Sequence, residues 1–136
     1  MTQKDKELLL RDLCARLPYG VKVQTAYPDA KILEGIQFPD YIGISDGYYS
    51  LDVMECKPYL FPLSSMTEEQ KMEIKSLCDG TEIFDDGSWM RYISILGNFN
   101  FEINLAVVNW LNANNFDYRG LIPKGLAIDA TGLNIY

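Results

Sequence analysis

An Asp-Gly pair at positions 46–47 stands between two short runs of β-branched and aromatic residues. The runs are Tyr41-Ile42-Gly43-Ile44-Ser45 and Tyr48-Tyr49-Ser50-Leu51-Asp52-Val53. A two-residue Asp-Gly loop suits a type I′ hairpin, in which both central residues need positive φ. Closing that turn pairs Ser45 with Tyr48, Ile44 with Tyr49 and Ile42 with Leu51. Ile42, Ile44, Tyr49, Leu51 and Val53 then share one face, and Ser45, Tyr48, Ser50 and Asp52 share the other. Turn chemistry and hydrophobic alternation specify the same register, so this segment points to an antiparallel sheet.

The elements around it follow from local signals. Thr2-Gln3-Lys4-Asp5 has the spacing of a capping box, and Leu10, Leu13, Cys14 and Leu17 recur at the spacing of one helix face. Pro18 and Gly20 end that helix. Val21–Thr25 alternates with the period of a half-buried strand, and Lys31–Gln37 reads as another. Pro58 and Pro62 are expected to end regular pairing after Val53. A second helix starts at Ser65-Met66-Thr67-Glu68, or in another register at Thr67-Glu68-Glu69-Gln70, with Ile74, Leu77 and Cys78 inward and Gly80 beyond its end. Asp86-Gly87 closes a second hairpin, with a short helix near Ser88 as the competing reading. A third helix spans about 101–114, with Ile103, Ala106, Val107, Trp110 and Leu111 facing the core. The expected fold class is α+β: an antiparallel sheet built on the Asp46-Gly47 hairpin, with about three helices packed mainly on one face. At 136 residues, the chain is expected to form a single domain, residues 1–136.

Three stretches carry a resemblance. They are Asp12–Val21, Lys57–Glu69 and Asp117–Ala127, and they begin with Asp-Leu-Cys-Ala-Arg-Leu-Pro-Tyr-Gly, Lys-Pro-Tyr-Leu-Phe-Pro and Asp-Tyr-Arg-Gly-Leu-Ile-Pro-Lys-Gly. Together they resemble a group of small uncharacterised proteins of gut Bacteroides species and their phages. The resemblance implies a bacterial or phage cytoplasm and a chain complete as given. It implies no reaction, so it assigns no catalytic residue.

What the side chains exclude is informative. There is no histidine, which removes Ser-His-Asp and Cys-His catalysis and the usual zinc sites. Cys14, Cys56 and Cys78 are widely spaced in apolar patterns and read as reduced core thiols, Cys14 included. Neither thiol reagents nor chelators are expected to affect the folded protein. Asp85-Asp86 has turn character, and Asp40, Asp46, Asp52 and Glu55 lack the spacing of a carboxylate metal loop. No cofactor and no metal is expected.

A net charge of −7 works against binding to nucleic acid or an anionic membrane. Between Arg91 and Arg119 there is no Lys or Arg to follow a phosphate backbone. No apolar run is long enough to span a bilayer. Nothing at the N-terminus has the form of a signal peptide, so the expected location is the cytoplasm.

The candidate binding residues are Asp117, Tyr118 and Arg119, in the loop Phe116–Ile122. Phe116 is expected to pack behind Trp110 and hold the loop. Arg119 either caps the preceding helix or pairs with Asp117, or it stands exposed beside Tyr118 as a recognition pair. Asn98, Asn100, Asn104, Asn109, Asn112, Asn114 and Asn115 read as one N-cap, an uncharged outer helix face and a frayed end, or as a polar, uncharged face cheap enough to desolvate against a partner. The functional expectation is a non-enzymatic protein-interaction or accessory factor with a protein partner. The alternative is a small histidine-independent enzyme using Asp, Glu, Tyr or Arg.

Overall fold

The computed structural model describes residues 2–37, 41–45, 48–77 and 105–136. Within them the chain runs α1 (Gln3–Arg16), β1 (Lys22–Gln24), β2 (Lys31–Gln37), β3 (Tyr41–Ile44), β4 (Tyr48–Asp52), β5 (Lys57–Pro62), α2 (Glu68–Leu77), α3 (Leu105–Ala113), β6 (Phe116–Asp117) and β7 (Ile128–Asp129). Single 3₁₀ turns occupy Leu17–Tyr19, Val53–Glu55 and Leu63–Ser65. The fold is α+β. The Asp46-Gly47 turn itself, the Asp86-Gly87 segment, Cys78, Gly80 and Ile103 lie outside the described residues.

Helix starts obey local chemistry. The Thr2 and Asp5 N–H groups each donate to the other's side chain at 3.1 Å, which completes the first capping box. At α2 the Thr67 register is the one adopted. Thr67 N–H donates to Gln70 Oε1 at 2.9 Å and Gln70 N–H donates to Thr67 Oγ1 at 3.2 Å. Ser65 instead donates its hydroxyl to Pro62 O at 2.7 Å. Gly20, in the left-handed region at φ 69°, closes the Leu17–Tyr19 turn where the first helix was expected to stop.

The sheet order is β4-β3-β2-β1-β5-β6, with β7 also paired to β5. Pairing is antiparallel from β4 to β5, but β6 and β7 run parallel to β5, so the sheet is mixed rather than purely antiparallel. Ile42 pairs with Leu51 as expected, whereas Ile44 pairs with Tyr48 rather than Tyr49. One extra β4 residue lies between these pairs, a bulge. Ser45 is held toward β2, where its N–H donates to Ile32 O at 2.9 Å and its hydroxyl accepts from Ile32 N–H at 3.1 Å. Ile42, Ile44 and Val53 are buried, but Val53 opens a 3₁₀ turn instead of extending the strand.

Pro58 and Pro62 do not end pairing. They bracket Tyr59-Leu60-Phe61 in β5, the strand that joins β1, β6 and β7. Each proline lacks only its own donor. The ladder bonds are carried by residues between them: Phe61 N–H donates to Asn115 O and Ala130 N–H donates to Leu60 O, both at 2.8 Å.

Two apolar clusters flank this strand. Leu60 belongs to a cluster with Leu9 and Leu13 of α1, Val21, Val23, Leu33, Ile42 and Ile44. Phe61 packs on a second cluster with Ile74 of α2, Val107 and Leu111 of α3, and Phe116 and Tyr118. The alternation of β5 side chains thus separates the α1 core from the α2–α3 core, in place of the expected single helical face.

α1 is rotated relative to its apolar pattern. Its buried residues are Leu9, Asp12, Leu13 and Arg16, the same helical spacing moved back by one position. Cys14 is therefore exposed, contrary to its core-like reading, while Cys56 is buried and its thiol is pushed up to about 12 by burial. Native labelling with a maleimide, mapped by peptide mass spectrometry, should modify Cys14 and spare Cys56 until unfolding. Equal labelling rates at the two positions would contradict this packing.

Candidate functional site

α3 ends at Ala113, and Asn115 takes the left-handed conformation at φ 62°, which asparagine tolerates. The chain then turns into β6, and Phe116 stacks on Trp110 with centroids 5.6 Å apart and planes 7° apart. Trp110 is itself fixed to α2, its indole N–H donating to Glu73 Oε2 at 2.9 Å. The expected anchoring of Phe116 is realised: it is 2% exposed.

The three residues beyond it do not form a presented patch. Asp117 accepts from the N–H groups of Leu121 and Ile122, each at 2.9 Å, so it shapes the turn rather than pairing with Arg119. Gly120 at φ 75° completes that turn in a conformation costly for other residues. Tyr118 is 3% exposed and donates its hydroxyl to Asn112 Oδ1 at 2.8 Å. Burial raises its pKa, and Arg119 and Arg16 partly oppose that shift. Arg119 Nη1 donates to Asp12 Oδ1 at 2.9 Å across the molecule.

These contacts form a buried charge cluster that sequence reading did not find. Asp12 accepts from Arg16 Nε at 2.8 Å through its other oxygen, and both side chains are 0% exposed. Arg16 Nη2 also donates to Phe116 O at 2.6 Å. The Tyr118 ring centroid lies 5.3 Å from the Arg16 guanidinium carbon and 4.6 Å from that of Arg119, within cation–π range. Asn112 and Asn115 are buried as well, which corrects their reading as an outer face and a frayed end. Ala106, expected inward, is exposed. The sequence signal for Asp12 and Arg16 was available: an acid and a base four residues apart on one helix face. Apolar pattern matching gave that face to solvent.

The cavity lies beside this cluster and has a volume of about 420 Å³. Phe61, Phe116 and Tyr136 supply its rings. Phe61 is tilted against both others, at 6.1 Å from Phe116 and 5.9 Å from Tyr136. Ser65, Thr67, Gln70, Asn114, Asn115 and Thr131 supply uncharged hydrogen-bonding groups. No family model, curated protein or solved structure matches this chain. Function therefore has to be argued from this geometry. Among the described residues, no group of three or more Cys, Asp or Glu side chains is placed to hold a metal ion.

Asn115 stands out in the cavity wall. It is 7% exposed, and its Oδ1 has no hydrogen-bond partner among the described residues. A buried unpaired acceptor forfeits about 1–3 kcal/mol until a donor reaches it. Tyr136 also lines the cavity. Its hydroxyl accepts from Lys22 N–H and donates to Tyr59 O, both at 2.8 Å, tying the chain's last residues to β1 and β5.

Tyr136 is 46% exposed overall, and desolvation around its phenol, partly opposed by the Lys22 N–H bond, pushes the pKa up to about 12. A tyrosine that ionises later when folded than when unfolded stabilises the protein fully below about pH 10, its unfolded value. That contribution is lost as pH rises toward 12. Urea midpoints measured from pH 9 upward should fall over this range. The fall should be shallower in Tyr136→Phe, and identical slopes would show that the phenol is not held as described.

Proposed function

We propose that this chain is a small non-enzymatic interaction factor of a bacterium or phage, and that its partner binds at the Phe61–Phe116–Tyr136 cavity. One observation carries the reading: charge and cavity are segregated. The side chains a histidine-independent enzyme would use, Asp12, Arg16, Asp117 and Arg119, are bonded to internal partners and are absent from the described lining. The lining offers rings, amides and hydroxyls instead, the chemistry of recognition rather than of proton transfer. Asp117, Tyr118 and Arg119 then serve binding from behind, by fixing the end of the strand that carries Phe116.

The net charge of −7 disfavours nucleic acid and anionic lipid as partners. Among the described residues no helix is long and apolar enough to cross a membrane.

Ala113 is exposed and lines the cavity, so Ala113→Trp should fill it without disturbing a core. Immobilised wild-type protein should retain a partner from host lysate that the filled variant does not, at a melting temperature within a few degrees. Identical retention by both proteins would remove the cavity from the function. Turnover of a captured small molecule would favour the enzyme.

A further inference from the structure

We infer that the partner enters the cavity with a tyrosine or tryptophan side chain. This rests on the cavity being the partner's site and deepens that reading. The volume, about 420 Å³, is at the small end for ligand pockets and suits one large side chain with its flanking backbone. Three properties of the wall select that side chain.

No Asp, Glu, Lys or Arg side chain stands in the described lining, so an Arg, Lys, Asp or Glu anchor would be desolvated without a side-chain counter-charge. A purely apolar anchor such as Leu or Phe could pack on the rings of Phe61 and Tyr136. It would leave Asn115 Oδ1 without a donor. This oxygen is buried as it stands, and rotation about the Cβ–Cγ bond of Asn115, a soft torsion, can turn it toward the cavity. The remaining choice is a ring that carries its own donor. Tryptophan offers an indole N–H and tyrosine a phenolic O–H, and both present a large apolar face. With arginine, set aside above on charge, these two are the residues enriched where a partner inserts into a desolvated pocket. The Phe61 ring, only partly buried and tilted against both neighbours, offers a surface for edge-to-face or offset contact.

The test uses the full chain, ¹⁵N-labelled, titrated with blocked tripeptides acetyl-Gly-X-Gly-amide. X is Trp, Tyr, Phe, Leu, Arg or Glu, and a neutral disaccharide is titrated alongside. Trp and Tyr peptides should give saturable shifts at Asn115, Gln70 and Thr131, with Phe about tenfold weaker for want of the donor. Phe61→Ala should abolish the response. Asn115→Gly keeps the left-handed backbone available and removes the amide, so it should erase the gap between Tyr and Phe. Equal binding of all six peptides, preference for Arg or Glu, binding of the disaccharide alone, or no saturation at tens of millimolar would overturn the inference. So would binding that survives Phe61→Ala. If no tripeptide binds while Ala113→Trp still loses the captured partner, the anchor assignment fails and the cavity reading stands. If Ala113→Trp captures as wild type does, the cavity reading fails first.

Discussion

Replacing Asp12 with alanine is expected to lower stability by about 3–5 kcal/mol, as removal of one member of a buried ion pair does. Asp12 is the shared acceptor for Arg16 and Arg119, and it is fully buried. Without it two guanidinium groups remain beside the Tyr118 ring with no carboxylate to balance them. Arg16 cannot relax into water, because it is 0% exposed and its Nη2 is fixed to Phe116 O. Chemical denaturation should show the loss as a lower midpoint with an unchanged slope. Arg119→Ala should cost less, about 1.5–3 kcal/mol, because Asp12 keeps its bond to Arg16. A triple variant, Asp12→Leu with Arg16→Met and Arg119→Met, separates charge burial from packing. It should be more stable than Asp12→Ala, since apolar replacement of a whole buried ionic group is often neutral or stabilising. A triple variant less stable than Asp12→Ala would mean that the cluster acts through its geometry, chiefly the Arg16 bond to Phe116 O.

Replacing Phe116 with alanine should cost about 3–5 kcal/mol, the range for truncating a buried aromatic. The ring joins three elements: it stacks on Trp110 of α3, meets Phe61 of β5 and stands on the strand paired with β5. Truncation opens a void beside the existing cavity, which the α2–α3 cluster can close only by moving Trp110. Trp110 is held by Glu73, so relaxation is restricted and the upper half of the range is expected. Tryptophan fluorescence during urea unfolding reads both the stability and the changed environment of Trp110. A loss below about 1 kcal/mol would place the ring outside the core.

The two variants also distinguish support of the binding site from the site itself. Both should weaken cavity ligands in proportion to the population left folded. Phe61→Ala, at a partly buried position, should cost less stability than Phe116→Ala and still abolish binding by the population that remains folded.

Much of the local architecture was legible in the chain. β2 occupies the expected Lys31–Gln37, β1 lies inside the alternating Val21–Thr25 segment, and α1 and α2 start at capping boxes present in the sequence. The anchoring of Phe116 behind Trp110 also followed from residues six apart. The errors are of another kind. β5 was read as irregular because its prolines were weighed without knowing which donors the ladder needs. Neither reading of Arg119 holds, as a cap or partner of Asp117 or as an exposed pair with Tyr118, because residue type does not reveal exposure or a partner distant in sequence.

Sequence alone determined the capped helix starts, the end of the first helical segment between Pro18 and Gly20 and the strand periods, since each is decided by bonds among residues a few positions apart. Tertiary structure decided which face of α1 turned inward and where Arg119 went. The Arg16–Phe116 and Arg119–Asp12 bonds join residues 100 and 107 positions apart. No local pattern encodes such a partner, and a buried charge is tolerable only where one arrives. The cavity is likewise assembled from β5, α2, α3, β6 and the C-terminal residues, so it exists only once the chain has closed on itself.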